Sequence, residues 1–303
     1  MRDPLTSTVG TPLENIYYKT YPAPDQARFS ILIPTWNNLK YLQLCVDSIR
    51  KHSRFAHEII IHVNEGADGT REWVEAQGFS YTFTPRNAGI CYAMNAMATH
   101  AGTEHLFYLN DDMVVCPDWD FHLWREMERL DHIYFLLGSA LIEPNDTGHP
   151  CMIYRDEFGD SLETFNEALL LEKYMSFPKE DWQGAGGSAV VIPKKLWGIV
   201  GGYSVEMSPG MYSDVDFNMK LWHAGVRLFK GVSKSRIYHF KRRSTGRVFQ
   251  KNDGRKQFRE KWKIPSSQFN KLYLRLGEPF DGPLQPPREN WWLKWTRFRS
   301  RWM

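Results

Sequence analysis

The stretch EHLFYLNDD, residues 104–112, runs from an apolar segment straight into two adjacent carboxylates. Leu106-Phe107-Tyr108-Leu109 is too short for a helix and reads as a buried strand, and Asn110-Asp111-Asp112 marks its end. Two carboxylates side by side are costly unless a cation balances them. Mg²⁺ or Mn²⁺ carrying a substrate diphosphate would do so, because hard cations choose oxygen ligands and keep phosphate in their shell. A solvated turn that caps the next element is the plain alternative for the same residues.

Upstream, strands and helices alternate. FSILIP (29–34) is an apolar run stopped by proline. From Asn37 to His52, Leu39, Leu42, Cys45, Val46 and Ile49 recur at helical spacing. Strands are expected at 58–63 and 81–83, helices at 70–77 and 90–101, and the 104–109 strand follows. This alternation predicts an α/β protein whose mostly parallel, Rossmann-like sheet is flanked by helices. In such sheets ligands bind beyond the carboxyl ends of the strands, so loops 34–38, 64–70, 84–89 and 110–113 should line one crevice. No GxGxxG follows the first strand, which disfavours a dinucleotide oxidoreductase.

Downstream, 143–183 has poor periodicity and many Pro, Gly, Asp and Glu residues, as a long functional loop with a short helix near 163–175 would. A strand at 186–193, helices at 194–200 and 214–224 and a strand within 228–238 follow. Residues 255–277 read as helical and basic, and 278–288 as a linker. The expected organisation is an arm (1–27), a catalytic domain (28–250, with a nucleotide-binding half to 115 and an acceptor half beyond) and a helical extension (251–303).

Of the 303 residues, 42% are hydrophobic and 24% charged, which is globular composition. A net charge of +3 is too small to argue for nucleic acid, and none is expected as a partner. The four cysteines form no CxxC, so a zinc ribbon or thioredoxin-like motif is excluded and buried thiols in a reducing compartment are expected. The N-terminus lacks a basic-then-apolar leader, and no apolar run reaches about 18 residues. The expectation is cytoplasmic, peripheral on the inner face of a membrane.

Four ordered segments together resemble glycosyltransferase family 2, a group with the GT-A fold. They are ILIPTWNNLKYLQL (31–44), EIIIHVNEGADGT (58–70), RNAGICYAMN (86–95) with Asn110-Asp111-Asp112, and Gly184–Ser244, which contains GAGGSAVVIPKKLWGIVGGY, SDVDFNMKLWHAG and IYHFKRRST. The resemblance implies an inverting, metal-dependent transferase that moves a sugar from a nucleotide-diphosphate donor to a glycan or lipid-linked acceptor. It implies that Pro34, Thr35 and Asn37 form the nucleotide-base end. Asn64, beside Glu65, stands where relatives carry an acidic residue that touches base or ribose. By the same resemblance Arg86 and Asn87 lie near ribose or phosphates, with Asp111 on ribose or the ion's waters. Asp112 and His239 are the implied ligands for Mn²⁺ or Mg²⁺. Asp214 is the implied base, in a motif where Ser213 replaces the usual Glu; Asp216 reads better as a helix-start carboxylate. Trp182, Gly184, Ala185 and Gly186 would shape the donor and acceptor pocket, and Arg242, Arg243 and Ser244 would meet the diphosphate.

FREKWKI (258–264) resembles a segment that follows the catalytic domain in many relatives. Residues 288–303 hold five basic residues and one acidic residue, and Trp291, Trp295, Phe298 and Trp302 share one helical face. Such a helix suits an anionic membrane surface, or docks on the catalytic domain or a second subunit. A nucleotidyltransferase of similar sheet and a catalytically degenerate sugar-binding or scaffold subunit are the alternative functions, and oligomeric state is left open.

Overall fold

The structure is a computed structural model and describes residues 16–241 and 252–287. Arg242, Arg243, Ser244 and the aromatic-basic stretch 288–303 lie outside the described residues.

Ile31, Leu32 and Ile33 are wholly buried because strand β2 (Ser30–Trp36) has both faces covered, as a near-continuous apolar run requires. β2 lies parallel between β3 (Glu58–Asn64) and β5 (His105–Tyr108), and β4 (Ser80–Thr84) extends the parallel set beyond β3. β1 (Tyr17–Lys19) closes that edge in antiparallel sense. The crossovers are α1 (Leu39–His52), α2 (Thr70–Ala76) and α3 (Gly89–His100). On α1 the side chains at 42, 45, 46 and 49 face inward, as their spacing predicts.

Beyond β5 the sheet becomes mixed. β10 (Val190–Pro193) runs antiparallel between β5 and β7 (Phe135–Glu143). β7 pairs in parallel with β11 (Leu228–His239), and β6 (Met113–Val115) returns antiparallel on β11. β8 (Met152–Tyr154) pairs with β7 and β9 (Trp182–Gln183) with β11. Among the described residues this makes one eleven-stranded sheet. The parallel expectation therefore holds for the first half, and antiparallel insertions build the second.

The helices of the second half are α4 (Trp119–Met127), α5 (Glu167–Lys173), α6 (Lys194–Val200), α7 (Ser213–His223) and α8 (Gly254–Trp262). The expected strand at 186–193 begins only at Val190, because Gly187 adopts φ +76° and Ala189 φ +59°. The expected helix over 255–277 breaks after α8. Lys263 turns left-handed at φ +61° and Pro265 follows, so a short turn and a π-helical turn (Phe269–Tyr273) complete the segment.

One core cluster gathers α3, α6, α7 and α8 side chains on one side of the sheet, including Met97, Leu196, Leu221 and Phe258. A second gathers α1 and α4, with Phe29, Phe107 and Trp119 among its largest members. A third lies under the 143–183 region, where Phe158, Leu170, Phe177 and Phe240 surround Tyr238. Each such buried apolar side chain contributes about 1.5–3 kcal/mol over its exposed state. Trp182 belongs to this third cluster and pairs with Gly231 across the β9–β11 ladder. A Cβ at position 231 would lie 1.8 Å from the indole, so only glycine fits beneath the ring. Gly231→Ala should therefore destabilise the protein by about 1–3 kcal/mol through overpacking, read as a melting temperature lowered by a few degrees. An unchanged melting temperature would contradict the Trp182–Gly231 contact.

Candidate active site

The carboxyl ends of β2, β3 and β5 open into a cleft of about 1080 Å³, which continues past the end of β11 to the start of α7. Pro34, Thr35, Asn37, Asn64, Asn87, Asp111, Asp112, Ser213, Asp214 and His239 all line it. They come from six parts of the chain, so the topology assembles the cleft where the strand order predicts a ligand.

At the β2–β3 end, Asn37 adopts φ +46°, donates from Nδ2 to Glu65 at 3.0 Å and accepts the Ala67 N–H at 2.8 Å. Glu65 thus braces the cleft through Asn37 and is outside its lining. Asn64 ties three strand ends together. Its Nδ2 donates to the Thr35 carbonyl at 3.2 Å, while its Oδ1 accepts the Ala88 N–H at 2.8 Å and the Thr84 hydroxyl at 3.2 Å. A carboxylate could not donate to Thr35, which is a physical reason for the amide at this position. The buried Thr35 hydroxyl beside it has no hydrogen-bond partner among the described residues.

Asn87 accepts the Gly89 N–H at 2.9 Å. Gly89 itself needs to be glycine: φ is +78°, and a Cβ would meet Pro209 Cα and carbonyl oxygen at 2.7 Å. The Ile90 N–H donates to that same carbonyl at 2.8 Å, which docks the start of α3 on the 208–211 loop. Arg86 is outside the lining, as are Trp182, Gly184, Ala185 and Gly186. Trp182 is turned into the core, and the Ala185 carbonyl is taken by the Asn218 amide of α7 at 2.8 Å. A Cβ on Gly186 would strike that amide at 2.6 Å. Gly187 and Ser188, the next residues along, line the cleft in place of these four.

The charged centre is built by β6 returning on β11. Their register sets His239 opposite Met113, and the Phe240 N–H donates to the Asp112 carbonyl at 3.1 Å. His239 Nε2 comes within 3.3 Å of Asp112 Oδ1. On its other side, His239 Nδ1 is 2.8 Å from Glu143 Oε1, and Lys241 Nζ donates to Glu143 Oε2 at 2.7 Å. Burial alone would lower the imidazole pKa, but the hydrogen bonds to Asp112 and Glu143 prevail and raise it to about 9. Burial pushes Glu143 up, yet its bonds to His239 and Lys241 bring it below its ordinary range. Glu143 is absent from the sequence-based site. Its signal is faint: a lone carboxylate closing the buried run FLLGSALI, just as Asp111 and Asp112 follow the β5 run.

Asp112 and His239 fit a divalent ion. Glu143 fixes one ring nitrogen, so the other faces Asp112 at the cleft, an arrangement common behind metal-binding histidines. Among the described residues no group of three or more His, Cys, Asp or Glu side chains is gathered to hold an ion unaided. The further ligands would come from substrate and water.

At the far wall, Tyr212 turns left-handed at φ +69° and the Ser213 hydroxyl donates to the Gly210 carbonyl at 2.8 Å, closing the turn into α7. Asp214 then stands open to solvent in the cleft. The surrounding protein nevertheless desolvates its carboxyl enough to raise its pKa, against backbone N–H donors and His149, which act to lower it. Asp216, two residues on and so on the opposite side of the helix, is fully buried.

The sheet with its strand-end cleft is a GT-A fold, and known structures it resembles share that fold. Residues 30–168 match the model of glycosyl transferase family 2. O-antigen biosynthesis protein RfbC of Myxococcus xanthus is 23% identical over 248 residues, 77% of this chain and 19% of that protein, so the chain spans about one fifth of this relative. The crystal structure of residues 1–349 of TarS from S. aureus superposes with a TM-score of 0.51 at 14% identity, over 70% of this chain and 60% of that one. GalNAc-T7, crystallised with UDP, GalNAc and Mn²⁺, gives 0.57 at 13% identity over 80% and 50%.

Glu143→Gln tests the centre without any substrate. With a carboxylate partner removed, the His239 pKa should fall from about 9 toward its ordinary value, as read by NMR titration of the imidazole. Because the folded-state pKa is raised, His239 stabilises the metal-free protein fully below about pH 6.5, and that contribution fades as pH rises through about 9. An unmoved titration would separate Glu143 from His239.

Proposed function

We propose that this protein is an inverting glycosyltransferase that moves a sugar from a nucleotide-diphosphate donor to a hydroxyl on a glycan or lipid-linked acceptor, using Mn²⁺ or Mg²⁺. The observation that carries the reading is the shared cleft: Asp214 opens into the same space as Asp112, His239 and the ends of β2, β3 and β5. The family 2 match over 30–168 and the likeness to RfbC support surface-polysaccharide assembly as the setting. A nucleotidyltransferase would have no use for Asp214.

In this reading the donor lies with its base between Thr35, Asn37 and Asn64, its ribose and phosphates near Asn87 and Asp111, and its sugar toward Asp214. Asp112 and His239 would hold the divalent ion, which when bound offsets charge on the departing diphosphate. Asp214 accepts the acceptor's hydroxyl proton while that oxygen forms its bond to the anomeric carbon. The bond from that carbon to the phosphate oxygen breaks on the opposite face, and its electron pair leaves with the nucleoside diphosphate. The raised carboxyl of Asp214 suits this task, since a base works best with its pKa nearer the operating pH. The diphosphate leaves without protonation, so one carboxylate suffices.

Asp214→Asn should cut turnover at least 100-fold, with nucleotide affinity retained, and remove the acid limb of the pH–rate profile. That limb should lie above the ordinary Asp range in the parent protein. Chelator should abolish transfer and Mn²⁺ should restore it. Near-parental turnover in a folded Asp214→Asn protein, or transfer that survives chelation, would defeat the respective assignment.

We also infer that residues 288–303 attach the protein to an anionic bilayer, on the strength of their aromatic face and adjacent basic residues. None of the described helices is long and apolar enough to cross a membrane. Flotation with phosphatidylglycerol vesicles should be lost on deleting 288–303; equal flotation of both forms would refute the anchor.

A further inference from the structure

Asp214 and Asp216 flank one helix start, and the structure treats them oppositely. Asp214 faces the cleft, whereas Asp216 has no exposed surface and is gripped from three sides. Ser204 Oγ donates to it at 2.5 Å, Lys261 Nζ lies 3.0 Å from its Oδ1, and Trp262 Nε1 donates to Oδ1 at 2.7 Å. Lys261 and Trp262 close α8, the helix carrying the FREKW motif, some 45 residues further along the chain.

The grip extends along α8. Asn252, just before the helix, exchanges two hydrogen bonds with the backbone of Met211, at 3.1 and 3.0 Å. Gln257 Nε2 donates to the Glu206 carbonyl at 3.1 Å, and Lys261 Nζ also reaches Ser204 Oγ at 2.9 Å and Glu206 Oε1 at 2.8 Å. A Cβ on Gly254 would lie 2.1 Å from the Met211 carbonyl oxygen, so the first turn of α8 lies hard against the loop. Met211, Gly210 and Tyr203 in that loop line the cleft together with Asp214. On the other flank of α7, Asn218 donates to the Ala185 carbonyl.

Stability alone is a poor account of this arrangement. A buried ion pair gains little over a well-packed apolar substitute, because desolvation offsets most of the Coulomb attraction. What it does supply is direction, since a carboxylate bonded to an indole N–H, an ammonium and a hydroxyl cannot turn. We propose that Asp216, Lys261 and Trp262 are positioning residues, and that α8 uses them to fix the turn into α7 and hence the direction in which Asp214 enters the cleft. The proposal rests on the reading of Asp214 as base only for its effect on rate; its effect on the Asp214 carboxyl is independent of that reading.

The test uses the full chain with Trp262→Phe, which keeps a ring against His223 but removes the N–H, with Lys261→Met and with the near-isosteric Asp216→Asn. The Asp214 carboxyl is followed by ¹³C NMR in aspartate-labelled protein, its signal identified by its loss in Asp214→Asn. UDP with Mn²⁺ serves as the binding probe in calorimetry. Each folded variant should shift the Asp214 midpoint toward the ordinary Asp range and lower kcat roughly 10- to 100-fold, with UDP affinity changed less than twofold. Lys261→Arg should restore part of the shift. A lowered melting temperature with the Asp214 titration unmoved would make the cluster merely structural and overturn the proposal. Should Trp262→Phe fail to fold, Lys261→Met and Asp216→Asn decide on the same criterion. If Asp214→Asn keeps full turnover while the other variants still move the Asp214 titration, the base reading falls and the positioning stands.

Discussion

One imidazole held between two carboxylates organises the working half of this molecule. His239 meets Asp112 only because β6 doubles back along β11, and it meets Glu143 only because β7 runs beside β11 in parallel. Three strands must be in register for the three side chains to converge, and each brings a group that would be costly to bury alone. Lys241 completes the balance at Glu143. Moving β11 by one residue would turn His239 to the opposite face.

The two halves of the cleft are made by different means. The β2–β4 side uses backbone geometry and amides: a left-handed asparagine at 37, and an asparagine at 64 whose donor and acceptor bind three strand ends. Pro34, Thr35, Asn37 and Asn64 line that side without charge, which under the proposed function would suit the uncharged edge of a base and the hydroxyls of a sugar. The opposite side, at the ends of β6, β7 and β11 and the start of α7, carries the ionisable groups. This division follows from the sheet, since parallel β2, β3 and β5 deliver their ends by short local crossovers while the mixed half draws together residues far apart in sequence.

That difference also decides what could be read from the chain. The first half announces itself through alternating strand and helix, and the Asn110-Asp111-Asp112 stop lies at the strand end its pattern predicts. β7 escapes because its nine buried residues make a run longer than most strands, with no proline stop or polar alternation to separate it from a buried helix. Glu143, at its end, escapes with it. Asp216 offered two readings that only tertiary contacts separate, because helix-start carboxylates look alike until Lys261 and Trp262 are seen to reach one of them. Trp182 and the Gly184–Gly186 run misled for a related reason. Small residues beside an aromatic ring can shape a pocket or let helices and rings pack closely, and Gly186 under Asn218 and Trp182 against Gly231 are of the second kind.

The distance in sequence between Asp216 and its partners has a consequence for biosynthesis. A chain emerging from the ribosome exposes the parallel half, with its local crossovers, long before Lys261 and Trp262 have been made. During that interval the carboxylate at 216 has neither its indole nor its ammonium partner, and a bare buried charge resists closure of the surrounding core. The wall built by the ends of β2, β3 and β4 can therefore take shape during translation, while the opposite wall waits for 45 further residues. Completion of the cleft is in this sense a late, vectorial event, timed by the arrival of one helix.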